Sequence, residues 1–247
     1  MKYMTVIFFA FALAIVHISA AENEPPEGFK SLFNGKDLSG WKIPEGDNGH
    51  WKVLDGVIDY DAQSEAKGEK DLMSAGEFSN FTMLVDWRIK EAPYINPRVY
   101  YVLPDGSEAR DSTGKPLNLA LPDSDSGIII RGDVKYQINI WCWPIGSGEM
   151  YGVRKDPKMP PEARAAATPR TQADKPVGEW NRYEITVKES IVNVVLNGKA
   201  VIVDANIPGL PAKGGVGLQH HGKMKDGKWT SPPALLQFKN ILIKELK

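Results

Sequence analysis

The chain has 247 residues and a near-even balance of 30 Lys and Arg against 31 Asp and Glu. That balance gives no electrostatic ground for a nucleic-acid or other polyanionic partner. A single cysteine, Cys142, excludes an internal disulfide, and its apolar surroundings mark it as a buried inert thiol rather than a nucleophile.

Lys2, the apolar run over residues 6–16 and the small residues Ser19, Ala20 and Ala21 read as an export signal, cleaved after Ala21 or Ala20. The alternative is an uncleaved anchor, but a span needs about 20 apolar residues and this run is shorter. Residues 1–21 are therefore expected to be a signal peptide and the protein to be periplasmic or extracellular. No cysteine sits at the cleavage site, which argues against a bacterial lipoprotein. No later segment could cross a membrane. Residues 22–28, with Pro25-Pro26, are expected to be a flexible leader, and 29–247 one domain.

Beyond the leader the sequence punctuates like an antiparallel β protein. Asp55-Gly56 separates Trp51-Lys52-Val53-Leu54 from Val57-Ile58-Asp59-Tyr60, and Asn197-Gly198 separates two further apolar runs. Both dipeptides suit a two-residue hairpin turn whose central residues need positive φ. Residues 81–90 alternate, with Phe81, Met83, Val85, Trp87 and Ile89 on one face and Asp86 and Arg88 on the other. Tyr183, Ile185 and Val187 alternate in the same way, and residues 128–131, 136–143 and 235–246 are further strands. Many short strands with turns between them predict an all-β, two-sheet antiparallel β-sandwich. Two long loops interrupt it, residues 91–125 and 144–178. The first is expected to carry a small hairpin around Pro104-Asp105-Gly106, and residues 160–167 one short helix with proline in its first turn. Loops this long are often binding loops or lids; the plainer alternative is surface elaboration.

The strand over 136–143 is the most informative. Alternation sends Tyr136, Ile138, Ile140 and Cys142 one way and Gln137, Asn139, Trp141 and Trp143 the other. An amide and indole face suits a sugar, because amides bond hydroxyls and indoles pack on ring C–H groups. The alternative is that the indoles cover a core edge and the amides face water. Arg131 shares a face with Gly127 and Ile129, with Asp86 and Glu184 as candidate partners. Gln219 and His221 share a face that His220 opposes, so the two histidines make a poor metal pair. Glu149 and Tyr151 lie in a glycine-rich loop just past the amide and indole strand.

An ordered set of motifs resembles the 3-keto-disaccharide hydrolase family. It begins with Leu32-Phe33-Asn34-Gly35-Lys36-Asp37-Leu38-Ser39-Gly40-Trp41, then Asn80-Phe81 leading into Asp86-Trp87-Arg88. Ser126-Gly127-Ile128 through Arg131, Gly178-Glu179-Trp180-Asn181 and Leu196-Asn197-Gly198 follow in order. Gly217-Leu218-Gln219-His220-His221-Gly222 and Phe238-Lys239-Asn240-Ile241 complete it. The resemblance implies a concanavalin A-like jelly roll with its site on the concave sheet. It also implies cleavage of glycosides oxidised at C3, whose ketone acidifies the C2 hydrogen so that the C1 substituent can be eliminated. Such a site needs a base, an acid, and positive charge or a divalent metal for the enolate.

Arg131 and His221 match family positions. Gln137 stands where the family usually has Glu, Trp141 where Asp is frequent, and Asp125 for an Asn. Together those changes remove negative charge from the expected centre, and Glu149 is the candidate to replace it. His221, Glu149 and Arg131 are therefore expected to be catalytic. Gln137, Asn139, Trp141, Trp143, Asp86, Arg88, Gln219, Asp125 and Tyr151 are expected to bind a mono- or disaccharide. A second outcome stays open, a non-catalytic carbohydrate-binding module of the same fold.

Overall fold

The computed structural model describes residues 25–247. The expected signal peptide and the start of the leader lie outside the described residues. The described end of the leader is a turn in which Phe29 N–H donates to Pro26 O at 2.9 Å. No helix among the described residues is long and apolar enough to cross a membrane.

Seventeen strands follow in chain order: β1 (Lys30–Ser31), β2 (Trp41–Lys42), β3 (Trp51–Leu54), β4 (Val57–Tyr60), β5 (Leu72–Ser74), β6 (Phe81–Ile89), β7 (Tyr94–Tyr100), β8 (Asn118–Asp123), β9 (Ser126–Ile129), β10 (Gln137–Ile140), β11 (Asn181–Lys188), β12 (Ile191–Leu196), β13 (Lys199–Asn206), β14 (Gly217–Leu218), β15 (Lys223–Lys225), β16 (Lys228–Ser231) and β17 (Leu236–Glu245). Two short helices, α1 (Tyr151–Arg154) and α2 (Pro161–Ala166), sit in the second long loop. An eight-stranded antiparallel sheet runs β13-β12-β11-β6-β17-β4-β3, with β1 beside β17, and a five-stranded sheet runs β10-β9-β14-β5-β2. β7–β8 and β15–β16 form separate two-stranded sheets.

The two sheets bury one common core. β6 contributes Phe81, Met83, Val85, Trp87 and Ile89, the face its alternation predicts, while β9, β10 and β14 contribute Ile128, Ile138, Ile140 and Leu218. Each fully buried side chain of this kind contributes about 1.5–3 kcal/mol. Tyr183 of the larger sheet reaches across the core, and its hydroxyl donates to Asn139 O at 2.7 Å. This ties the larger sheet to the strand that carries the amides. Both predicted hairpins form, with Asp55 at φ 50° and Gly56 at 77°, and Asn197 at 52° and Gly198 at 80°.

Three local expectations change. The strand predicted over 136–143 is regular only from Gln137 to Ile140. Beyond it side chains replace the ladder, since Trp141 N–H donates to Ser147 Oγ (3.2 Å) and Cys142 N–H to Asp123 Oδ1 (3.1 Å). The first long loop is mostly the hairpin β7–β8; the small hairpin around Pro104-Asp105-Gly106 exists at its tip, as the Val102↔Glu108 bridge. Arg131 has left its strand for a left-handed turn, with φ 52° followed by Gly132 at 79°.

Candidate active site

Register on the five-stranded sheet sets side chains in rows. Asn139 lies opposite Gly127 and Gln137 opposite Ile129. Gly217 lies opposite Ile129 on the other side, and Gln219 N–H donates to Gly127 O at 3.0 Å just past the end of β14. With Ile138, Ile128 and Leu218 turned into the core, alternation leaves Gln137, Asn139 and Gln219 on the outer face. Two residues further along each chain come Trp141, Asp125 and His221. All six line one cleft of about 440 Å³. Gly127 is required here, because a Cβ in its place would fall 3.1 Å from the amide carbon of Gln137.

The hairpin β7–β8 walls this face and presents Asn96, Arg98 and Tyr100 to the cleft. Its ladder slips between Asn96↔Leu121 and Val99↔Leu119, so Pro97 and Arg98 together oppose one partner residue. Such a bulge re-aims side chains and tolerates proline. Asp123, 1% exposed, staples this wall to the sheet. It accepts from Asn96 Nδ2 (2.8 Å), Trp143 Nε1 (3.0 Å) and Cys142 N (3.1 Å).

The indoles do not form the open platform that was expected. Trp141 and Trp143 are 3% and 8% exposed. They stack on each other at 4.3 Å with planes 5° apart, and Tyr151 meets both edge-on. Two indoles at alternate positions on one face satisfy each other, so they form a rigid wall of the cleft rather than a free sugar-stacking surface.

The electrostatic centre is the pair Asp125 and His221. The Pro232 carbonyl can only accept, so the His221 ring nitrogen 2.6 Å from it, Nδ1, carries the proton. The lone pair of the neutral ring is then on Nε2, which lies 3.8 Å from Asp125 Oδ2. Burial raises the Asp125 carboxyl to about 6, partly offset by His221, with the Asp123 carboxylate adding to the rise and the Asn139 amide opposing it. Three buried oxygens around this pair, Asp125 Oδ1, Gln137 Oε1 and Gln219 Oε1, have no hydrogen-bond partner. Buried acceptors are almost always satisfied, so these three mark where a ligand's hydroxyls would donate.

His220 turns the opposite way, as alternation requires. Its Nδ1 pairs with the Tyr60 hydroxyl at 2.6 Å, and Tyr60 stacks on Trp51 at 3.6 Å. Burial lowers its pKa to about 4, so it stays neutral. Asp71 Oδ1 accepts from His220 N–H at 2.6 Å and so fixes the segment that delivers His221. Burial raises the Asp71 carboxyl to about 7, above the ordinary value of roughly 3.9 it has in an unfolded chain. The folded state therefore holds a proton that the unfolded state has lost, and stability declines as pH rises through that window. Asp71→Asn keeps the acceptor without the buried charge. We expect it to match the parent in thermal melts near pH 4 and to melt at a higher temperature at pH 8.

Four expected site residues lie elsewhere. The left-handed turn carries Arg131 away from Gly127 and Ile129. It is 3% exposed and donates to the carbonyls of Ser79 (2.7 Å), Glu189 (2.6 Å) and Pro211 (2.8 Å), so it staples three loops. Glu149 points into the interior, where it is fully buried against Arg154. Arg154 also reaches Glu108 (3.6 Å) and Gly106 O (3.3 Å), so this network clamps α1 onto the tip of the β7–β8 hairpin. Asp86 and Arg88 lie on the outer face of the other sheet. Asp86 is engaged by Arg182 at 2.6 Å and Asn240 at 2.7 Å, while Arg88 bonds Gln237 and stacks over Trp180. Glu184, the other partner considered for Arg131, is exposed on that same outer face. Sequence reasoning missed Asn96, Arg98, Tyr100 and Pro232; the Pro97-Arg98 pair inside a strand-like run was the one signal for the bulge.

A divalent metal would find two donors of the usual type here, Asp125 and His221. Among the described residues no group of three or more His, Cys, Asp or Glu side chains is placed to hold an ion. The donor set does not fit a closed metal site.

Residues 28–244 match the sequence model of the 3-keto-alpha-glucoside-1,2-lyase-like domain. The chain belongs to this family. A curated relative, the 3-keto-disaccharide hydrolase of Bacteroides thetaiotaomicron, is 22% identical over 183 residues, which is 67% of this chain and 54% of that protein. The chain thus spans about half the length of this relative. A solved candidate glycosyl hydrolase from Parabacteroides distasonis is 21% identical, with TM-score 0.54 over 90% of this chain and 95% of that one. A second from the same organism is also 21% identical, with TM-score 0.49 over 88% and 99%. The likeness to the first of these two structures shows the fold.

Proposed function

We propose that this 3-keto-alpha-glucoside-1,2-lyase-like domain is an exported enzyme that cleaves 3-keto-glycosides by elimination and rehydration. Export rests on the signal pattern of residues 1–21 and would place it in the periplasm or outside the cell. His221 Nε2 removes the C2 proton, and the freed pair forms the enolate of the C3 ketone. The enolate collapses to a C1–C2 double bond with loss of the C1 oxygen, which takes a proton from Asp125. Water then adds at C1, giving its proton to the Asp125 carboxylate, and C2 recovers its proton from His221. The amide N–H groups of Gln137 and Gln219 are the donors available to the enolate oxygen. Glu149 and Arg131 have no part in these steps.

The observation that carries this reading is the acid–base pair set among three unpartnered buried oxygens. Release of reducing sugar from a 3-keto-disaccharide, beside its unoxidised parent, tests it. Release from the oxidised substrate alone supports the elimination. Binding of both sugars without release would leave the carbohydrate-binding module.

The acid role requires Asp125 protonated. With its carboxyl raised to about 6, the elimination rate should fall as pH rises through that value. In Asp125→Asn the residual rate should lose this limb, as a stopped pH series of kcat would show.

A further inference from the structure

The even charge of the whole chain hides a local excess beside the cleft. The hairpin β15–β16 departs at His221 and returns at Pro232, which both line the cleft and are tied to each other at 2.6 Å. It carries Lys223, Lys225 and Lys228, all exposed, against one acid, Asp226. Lys225 and Lys228 are direct cross-strand partners, an arrangement in which like charges repel. The hairpin packs on β7. There Arg98, exposed and set in the bulge, lines the same cleft. Among the described residues none of these four cations makes an ion pair or a side-chain hydrogen bond. By contrast Lys155, over the neighbouring Tyr100 ring, is held by Glu108 at 2.7 Å. The Asp125 side chain inside the cleft lies 3.8 Å from His221 Nε2.

From this rim we propose that the saccharide of the cleft is acidic. Arg98 takes the carboxylate or sulfate of the sugar bound in the cleft, and the lysine hairpin takes the next acidic units of a chain running out over it. The proposal rests on the cleft being a sugar site and names the class of sugar. Guanidinium suits a carboxylate or sulfate because it offers paired N–H donors in one plane. Arg98 shares the parity of Asn96 and Tyr100 along β7, and all three line the cleft.

Calorimetry with cellobiose, a glucose–glucuronate disaccharide and a uronate hexasaccharide, at low and high salt, tests this. The wild-type protein should bind the acidic disaccharide about tenfold tighter than cellobiose at low salt, with the gap narrowing as salt screens the charges. Arg98→Gln should bring the two disaccharides to near parity without shifting the thermal melt, because the side chain is exposed. The hexasaccharide should gain further affinity, and the Lys225→Gln/Lys228→Gln double variant should lose that gain. Equal binding of acidic and neutral disaccharides, or a preference that survives Arg98→Gln, would overturn the role of Arg98 while leaving the sugar site standing. A hexasaccharide that binds no tighter than the disaccharide would overturn the role of the hairpin and point to a small acidic sugar. Failure of all three sugars to bind would count against the sugar site itself.

Discussion

His221→Ala should lower kcat/KM on a 3-keto-glucoside by about 10²–10⁴, the usual contribution of a placed general base. The loss should fall on kcat more than on KM, because the amides Gln137, Asn139 and Gln219 remain to hold the sugar. Folding should be nearly unaffected. The side chain is 34% exposed and makes one hydrogen bond, to Pro232 O. Losing such a bond costs about 1 kcal/mol, or a drop of about 2–4 °C in Tm for a chain of this size. His220→Ala should give the opposite pattern, with a lower Tm from the loss of the Tyr60 contact and a smaller change in kcat. A base at position 221 and a structural ring at position 220 are thus separable by measuring kcat and Tm on the same two proteins.

Arg154→Met should destabilise the protein by about 3–5 kcal/mol at pH 8, the cost of leaving the buried Glu149 carboxylate uncompensated. Arg154 is 1% exposed and has Glu149 as its nearest carboxylate, with Glu108 further off at 3.6 Å. Burial raises the Glu149 carboxyl to about 7 against the pull of Arg154, so the pair is charged at the chosen pH. The paired change Glu149→Leu with Arg154→Met should recover most of the loss, because it removes both buried charges together. Denaturant unfolding gives the free energies directly. A catalytic Glu149 would instead leave the paired variant inactive while folding well. Neither Glu149 nor Arg154 lines the cleft, so the paired variant should retain turnover.

What could be read from sequence follows the reach of each signal. Turn chemistry and alternation are local, and they located both hairpins, the inward face of β6 and the outward row from Gln137 to Trp143. The opposite directions of His220 and His221 came from the same period of two. Arg131 failed because alternation holds only while the strand lasts, and a left-handed turn at that residue reverses the side chain. Glu149 failed because its partner Arg154 is supplied by a one-turn helix that no periodic pattern announces. Asp86 and Arg88 do lie on the polar face of β6, but that face belongs to the other sheet, and strand patterning does not say which layer a strand joins. Asp125 was expected to bind substrate. The role as acid proposed for it depends on lying beside His221, a pairing 96 residues apart in sequence that only sheet order creates.

The most direct test is a crystal structure of His221→Ala soaked with a 3-keto-disaccharide. The oxidised ring should lie over Gln137, Asn139 and Gln219, its C2 hydrogen toward position 221 and its glycosidic oxygen within hydrogen-bond reach of Asp125. A ring bound instead on the eight-stranded sheet, beside Asp86, Arg88 and Trp180, would contradict the assignment of this cleft as the site of cleavage.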